Sequence, residues 1–385
     1  MSSPTLIPRT TRIIDSIITK YKEFFVVYQK AFHETDPRIA EIFSSSSYVP
    51  EFSSFVKVDQ KVVSYGGIRK KSLRIFNLSE KVPFIFGIVT LPEERKKGYA
   101  SENLKALLNK TYHANYNIIM IASNPHDEHL IRFYEKFGFN KFSYQKRIPF
   151  ENLFKKGFDI RLGCMDDCEE ICKIFNKYIE NYKLSLERDL EFTRNKVREV
   201  LADDYGKLFF LSKNNENYGY FLYRKGEIDE SLILLEGEPN EDLAIIENTF
   251  TTKGFKDVFE GLLNSKYAEC TVSAAECTPE SDAFTLFRII NPMNFMKKYI
   301  NYIYFDDTET FNKNIIVEDP LIKDCSFNIN KNGKDIKVSE KLDSDAITIK
   351  ITISDLTKKI LNNFLNNNTE ERFTIKNKFF CCESW

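Results

Sequence analysis

The stretch Ile88-Val89-Thr90-Leu91-Pro92-Glu93-Glu94-Arg95-Lys96-Lys97-Gly98-Tyr99-Ala100-Ser101 decides how the chain is read. It joins the end of an apolar run over residues 82–90, continuous enough for a strand buried on both faces, to a helix whose Ala100, Leu104, Leu107 and Leu108 share one face. Between them lies Arg95-x-x-Gly98-x-Ala100. Gly98 lets the backbone come close to a ligand, Ala100 keeps the next turn uncrowded, and the first helical amides have no partner inside the helix, so they point at an anion. Arg95, Lys96 and Lys97 add positive charge. These features make a pyrophosphate cradle that lacks both the Walker lysine-serine pair and the G-x-G-x-x-G of dinucleotide folds. On these residues alone, an ordinary strand-to-helix turn with solvated basic side chains reads equally well.

Outward from the turn, strand-like runs at 62–68 and 72–77 come before it. A strand at 117–122 and a helix at 126–137, closed by Gly138 as a left-handed cap, come after it. A second unit of similar rhythm begins near residue 158. It has helical patterns at 166–182 and 184–201, strands at 207–212, 218–223 and 231–235, a helix pair over 240–263 and a strand at 269–272. From residue 285 the composition turns to Asn, Lys and Ile. Asn332-Gly333 signals a two-residue hairpin turn, and Ile347, Ile349, Ile351 and Ile353 alternate as a half-buried strand. Ser354 or Asp355 then caps a helix striped by Leu356, Ile360, Leu361, Phe364 and Leu365.

The length of 385 residues suits two or three domains at roughly 150 residues each. Lys plus Arg is 55 against 56 Asp plus Glu, so the net charge of −1 argues against a nucleic-acid surface over the whole molecule. No apolar run approaches the roughly 20 residues of a bilayer span. The amino-terminal apolar residues are interrupted by Asp15, Lys20, Lys22 and Glu23, unlike a signal peptide, and the eight cysteines form no C-x-x-C pair. These features point to a cytoplasmic protein with no membrane partner.

A second motif follows the first: Ser123-Asn124-Pro125 after the 117–122 strand, then Phe133-Tyr134-Glu135-Lys136-Phe137-Gly138-Phe139. The pair resembles the GCN5-related N-acetyltransferases (GNAT), whose cofactor loop is Q/R-x-x-G-x-G/A after a strand and whose next helix carries F-Y-x-x-x-G-F. More narrowly, the chain is similar to the enhanced intracellular survival (Eis) type through V-x-L-P-x-x-R-x-x-G-Y, FYEKFGF, the segment from Arg288 to Met293 and an aromatic last residue. The fold implied is a mixed α/β (α+β) multidomain one. It comprises an acetyl-CoA-binding GNAT domain over 1–152, a degenerate GNAT-like domain over 153–284 without an R/Q-x-x-G-x-A loop, and a sterol-carrier-protein-like α+β domain over 285–385.

The resemblance implies acetyl-CoA as co-substrate, no metal, and transfer to a primary amine of a polyamine, an aminoglycoside-like compound or a lysine side chain. Ile88, Val89 and Thr90 take positions whose backbone holds pantetheine and the acetyl oxygen. Arg95 and the residues Lys96, Lys97, Gly98, Tyr99, Ala100 and Ser101 take the pyrophosphate loop, and Ser123 and Asn124 the far side of the cofactor. Tyr134 takes the general-acid position, its phenol protonated at neutral pH with a reference pKa of about 10. The carboxylate of Trp385 takes the place of the base, acting through water or by orienting the amine. A homo-oligomer, hexameric in that family, is also implied. A non-enzymatic acetyl-CoA-binding protein and a lipid carrier remain the alternatives.

Other clusters read as structural. Cys164, Cys168 and Cys172 share a helix face but lack a fourth metal ligand, so core packing is the expectation. His126, Asp127, Glu128 and His129 read as a helix start, and Glu236, Glu238, Glu241 and Asp242 as a solvated acidic loop.

Overall fold

The computed structural model describes residues 12–13, 21–33, 37, 50–123, 127–149, 159–179, 184–202, 206–213, 215–224, 227–233, 267–273, 282–303, 305, 308–366 and 379–380. The chain divides into two units, Met1–Arg69 with Pro83–Tyr116, and Lys70–Val82 with Asn117–Trp385.

In the first unit β1 (Arg12–Ile13) pairs antiparallel with β2 (Ser54–Val58), and β2 with β3 (Lys61–Ile75), in register Ser54 to Gly66 and Val58 to Lys61. Beside β3 runs β4 (Leu78–Thr90). Helix α1 (Tyr21–Phe32) repeats Phe24, Val27, Tyr28 and Ala31 at helical spacing and lays that stripe on Phe55, Tyr65, Phe86 and Val89. Phe24 meets Tyr65 at a ring-centroid distance of 4.0 Å. Helix α2 (Tyr99–His113) buries Asn103, Leu104, Leu107, Leu108 and Thr111. Its last turn is tied down by Lys110, whose ammonium donates to Ser53 O at 2.7 Å.

The sequence predicts two strands at 62–68 and 72–77, whereas β3 is one strand over both runs. The Arg69-Lys70-Lys71 run that reads as a break is absorbed by aromatic faces. The Arg69 guanidinium lies 4.3 Å from the Phe86 ring centroid, and the buried Lys71 ammonium lies 5.0 Å from that of Phe192.

In the second unit β5 (Ile118–Ala122) is followed by α3 (Glu128–Glu135) and β6 (Asn140–Pro149). As expected for the helix start, the Asp127 carboxylate caps α3 by accepting from Leu130 N at 2.9 Å, and Gly138 closes the helix at φ +80°. After β7 (Asp159–Gly163) and α4 (Cys168–Ile179) comes β8 (Leu184–Glu187). This corrects the expectation of a helix from 184 to 201. Residues 184–187 pair with Ser72 to Ile75 of β3, and helix α5 (Leu190–Leu201) starts only where Asp189 accepts from Phe192 N at 2.8 Å.

Strands β9 (Lys207–Lys213), β10 (Glu216–Arg224) and β11 (Glu227–Ile233) form a sheet ordered β11-β10-β9-β7, with α4 and α5 packed through Cys168, Ile171, Phe175, Val197 and Val200 onto Leu208, Phe210 and Tyr220. The expected helix pair at 240–263 lies outside the described residues. Strand β12 (Tyr267–Ser273) pairs with β6, and β13 (Asp282–Ile289) lies between β5 and β6, antiparallel to both.

After α6 (Pro292–Tyr299), strands β14 (Phe311–Glu318), β15 (Cys325–Asn332), β16 (Asp335–Ser339) and β17 (Ile347–Thr352) form a sheet ordered β16-β15-β14-β17. Asn332 pairs with Asp335, so the hairpin loop is Gly333-Lys334, one residue later than expected. Helix α7 (Ile353–Asn366) is capped by Thr352, which accepts from Asp355 N at 3.1 Å and donates to the Asp355 carboxylate at 2.8 Å. Asp355 is thus the reciprocal partner three residues into the helix, not the cap. One sheet face is polar: Asn328 Nδ2 donates to Asn312 and Asn314, and Asn314 donates to Asp343 O at 2.7 Å, which pins the 340–346 loop over it. The last described strand, β18 (Phe379–Phe380), runs parallel to β8.

Arg288 of β13 is fully buried. Its Nη2 donates to both oxygens of Asp319 at 2.8 Å, and Nε and Nη1 have no partner among the described residues. A Cβ on Gly138 would lie 3.0 Å from Arg288 Nε and 3.2 Å from Ile353 Cγ2. The guanidinium therefore sits where the end of α3, β13 and the start of α7 converge, and burial pulls its pKa below the ordinary arginine value. Replacing Asp319 by Ala strands a buried cation and is expected to lower unfolding free energy by about 3–5 kcal/mol. The Arg288→Leu/Asp319→Leu double variant is expected to lose less, as read from guanidinium denaturation midpoints. A double variant as unstable as Asp319→Ala would show that the uncompensated charge is not the cause.

Candidate functional site

The turn after β4 is built from two left-handed residues. Lys96 has φ +64° and Gly98 φ +90°, and Gly98 precedes the first residue of α2. Nothing lies within 4 Å of where a Cβ on Gly98 would sit, so the glycine is required by the backbone angle and not by crowding. Left-handed residues alternating in a turn gather successive backbone N–H groups into a concavity suited to an anion. The first intrahelical bond runs from Glu102 N to Gly98 O at 3.1 Å, which leaves the amides of Tyr99, Ala100 and Ser101 without a partner inside the helix.

The three basic side chains expected to face the anion behave differently. Lys97 Nζ donates to Glu94 Oε2 at 2.8 Å. Arg95 bridges backbone, with Nε to Thr90 O and Nη2 to Ala31 O, both at 3.4 Å, so it braces its own turn against the end of α1. Lys96 is exposed on the turn.

Beneath the turn lies a buried polar relay that the sequence reading missed. Ser64 Oγ contacts Val89 O at 2.7 Å, Thr90 Oγ1 at 2.8 Å and Asn103 Nδ2 at 2.8 Å, and Ser64 and Asn103 are both fully buried. One signal was available: Asn103 falls on the apolar face of α2, between Ala100 and Leu107, where a polar residue needs a partner. Leu91 N donates to Val63 O at 2.9 Å, which fixes the strand end further. Ile88 and Thr90 are half-buried and Val89 is buried. The structure thus gathers Ile88, Val89, Thr90, Arg95, Lys96, Lys97, Gly98, Tyr99, Ala100 and Ser101 in one unit.

Ser123 and Tyr134 belong to the other unit, and Asn124 and Trp385 lie outside the described residues. Ser123, directly after β5, is buried. Tyr134 occupies the last turn of α3, 4% exposed, and makes edge contacts with Phe133 and Phe139 at centroid distances of 5.2 and 6.0 Å. Burial, assisted by the Asp127 carboxylate, pushes its phenol well above the ordinary tyrosine value, so it holds its proton throughout the physiological range.

Only Cys168 and Cys172 fall on α4, whereas Cys164 is extended and precedes it, so the three cysteines do not share the expected helix face. Cys164 is exposed, Cys168 is buried in the core, and Cys172 Sγ lies 3.3 Å from Arg188 O. Among the described residues no group of three or more His, Cys, Asp or Glu could hold a metal ion, and no helix is long and apolar enough to cross a membrane. His126 and the acidic residues from Glu236 to Asp242 lie outside the described set.

Solved structures share this fold over most of the chain. A conserved protein of unknown function from Enterococcus faecalis, described as a probable N-acyltransferase, aligns with a TM-score of 0.63 at 17% identity, covering 91% of this chain and 90% of that one. A GCN5-related N-acetyltransferase from Anabaena variabilis gives 0.60 at 12% identity, with 90% and 88% covered. Eis1 from Mycobacterium abscessus gives 0.57 at 12%, with 91% and 89% covered. No curated protein matches the chain in sequence. The family model of the Acetyltransferase (GNAT) family matches residues 14–139, which span the left-handed turn, the relay beneath it and Tyr134. Residues 14–139 are therefore similar to the Acetyltransferase (GNAT) family.

Proposed function

We propose that the chain is an acetyl-CoA-dependent N-acetyltransferase of the Eis type that acylates a primary amine of a polyamine, an aminoglycoside-like compound or a lysine side chain. The observation that carries this reading is the Arg95–Ser101 turn, where left-handed Lys96 and Gly98 feed the leading amides of a 15-residue helix. Those groups suit a pyrophosphate: the amides and the helix dipole supply partial positive charge, and the exposed Lys96 ammonium adds a full one. Acetyl-CoA, when bound, supplies the thioester carbonyl that the amine attacks.

The chain's own residues orient the donor and manage charge. Tyr134, neutral and buried, presents a proton to negative charge developing on the departing sulfur. A thiol has a reference pKa of about 8.5 and a phenol about 10, and burial raises the phenol further, so Tyr134 acts chiefly as a hydrogen-bond donor to that charge. Ser123 and Asn124 complete the cofactor contacts in this reading, and the carboxylate of Trp385 orients the amine. The reading also includes the three-domain partition at 152 and 284, a cytoplasmic setting and a homo-oligomer.

Wild-type protein is expected to acetylate members of an amine panel. Tyr134→Phe is expected to lower turnover by at least ~100-fold while keeping the thermal shift given by acetyl-CoA. Retained turnover in that variant would remove Tyr134 from the mechanism. Because burial raises the Tyr134 pKa, the rate is expected to rise with pH as the amine loses its proton, with no falling limb from Tyr134 below pH ~10. Residues appended after Trp385 are expected to abolish turnover with acetyl-CoA binding intact. Gly98→Ala is expected to weaken acetyl-CoA binding, because φ +90° strains a side-chain-bearing residue by roughly 1–2 kcal/mol. Gly98→Asn should be milder, and calorimetric titration of the two variants ranks them.

A further inference from the structure

The relay beneath the strand end sets the direction of a hydrogen bond. Ser64 Oγ meets three polar groups, Val89 O, Thr90 Oγ1 and Asn103 Nδ2, and a serine hydroxyl offers one proton and two lone pairs. A carbonyl only accepts, so the Ser64 proton goes to Val89 O. The amide nitrogen of Asn103 only donates, so it fills one lone pair of Ser64. The remaining lone pair takes the proton of the Thr90 hydroxyl. Turning the Asn103 amide over would set two acceptors, its Oδ1 and Val89 O, against the single Ser64 proton, so the arrangement is self-consistent in one sense only.

The neighbouring backbone groups are already engaged. Val89 O accepts from Ser64, Thr90 O accepts from Arg95 Nε at 3.4 Å, and Leu91 N donates to Val63 O at 2.9 Å. Thr90 is half-buried at the point where the strand gives way to the anion-binding turn. With its proton turned inward, its hydroxyl oxygen presents lone pairs to a ligand.

We infer that Ser64 and Asn103 are positioning residues that fix the Thr90 hydroxyl as a hydrogen-bond acceptor, so that this position receives an N–H from a bound substrate. The inference rests on the acetyltransferase reading above. Two substrates carry such a group, the amide-bearing pantetheine arm of the acyl donor and the amine acceptor, and the experiment separates them.

The experiment compares wild type with Thr90→Val, Thr90→Ser, Ser64→Ala and the Ser64→Ala/Thr90→Val double variant. It measures the acetyl-CoA dissociation constant by calorimetry, KM for an accepted amine, and kcat. Thr90→Val is expected to weaken one substrate by roughly 3- to 10-fold, the worth of one ordinary hydrogen bond, with kcat changed less than that. A raised dissociation constant assigns the N–H to the acyl donor, and a raised amine KM alone assigns it to the acceptor. Thr90→Ser, which keeps the hydroxyl, is expected to restore wild-type affinity. Ser64→Ala is expected to weaken the same substrate, with the double variant no weaker than Thr90→Val. Thr90→Val leaving both substrates unaffected overturns the inference, as do independent, multiplying effects of Ser64→Ala and Thr90→Val. The Thr90→Val and Thr90→Ser pair decides the matter even if Ser64→Ala does not fold. A wild-type chain that fails to bind acetyl-CoA overturns the functional reading and the inference together, whereas binding by wild type with a neutral Thr90→Val overturns the inference alone.

Discussion

Helix α2 lies close on β3 because Gly66 has no side chain. A Cβ there would stand 3.1 Å from Leu107 Cδ1 and 3.3 Å from Asn103 Cβ, tighter than ordinary packing. That approach is what brings Asn103 within reach of Ser64, and through Ser64 ties the first turns of the helix to the last residues of β4. The end of β4 and the first turns of α2, on either side of the Arg95–Ser101 turn, are then held by a common set of buried hydrogen bonds. Arg95 adds a brace from outside, joining the turn to the end of α1. Residues that look like ligand contacts in the sequence therefore divide into those that present groups outward, such as Lys96, and those that hold the presenting backbone still, such as Arg95.

Much of this was legible from residue pattern. The buried strand ending at Thr90, the helix face of Leu104, Leu107 and Leu108, the Asp127 start of α3 and the left-handed Gly138 follow from periodicity and local cap chemistry, which act over a few residues. What escaped depends on partners distant in sequence. The Arg69-Lys70-Lys71 run stays in one strand because Phe86 and Phe192 cover two of its cations, and residues 184–187 become a strand because β3 offers an edge. In the site, the Gly98 turn was legible, whereas Ser64 was not. An unremarkable serine within an apolar run gains its meaning only from Asn103 and Thr90 brought to it from α2 and β4.

Both units place a polar side chain where apolar packing would be simpler. Asn103 leaves its Oδ1 without a partner among the described residues, and Arg288 leaves Nε and Nη1 in the same condition. An apolar residue would avoid those penalties. Each instead contributes directional bonds at a junction of elements, Asn103 between α2, β3 and β4, and Arg288 from β13 to Asp319 beyond β14. The geometry of these junctions is thereby specified by hydrogen bonds as well as by volume.

The position of β13 bears on how the chain is made. Residues 118–122 of β5 and 140–149 of β6 flank a strand that begins only at residue 282. During synthesis both partners leave the ribosome long before the strand that bridges them, with their ladder groups on that side unpaired. Pairing across such a sequence interval raises contact order, and loop closure must precede the contacts that reward it. The sheet that carries β5, immediately before Ser123, is thus finished late, and until then its two open edges are the places where association with other chains would begin.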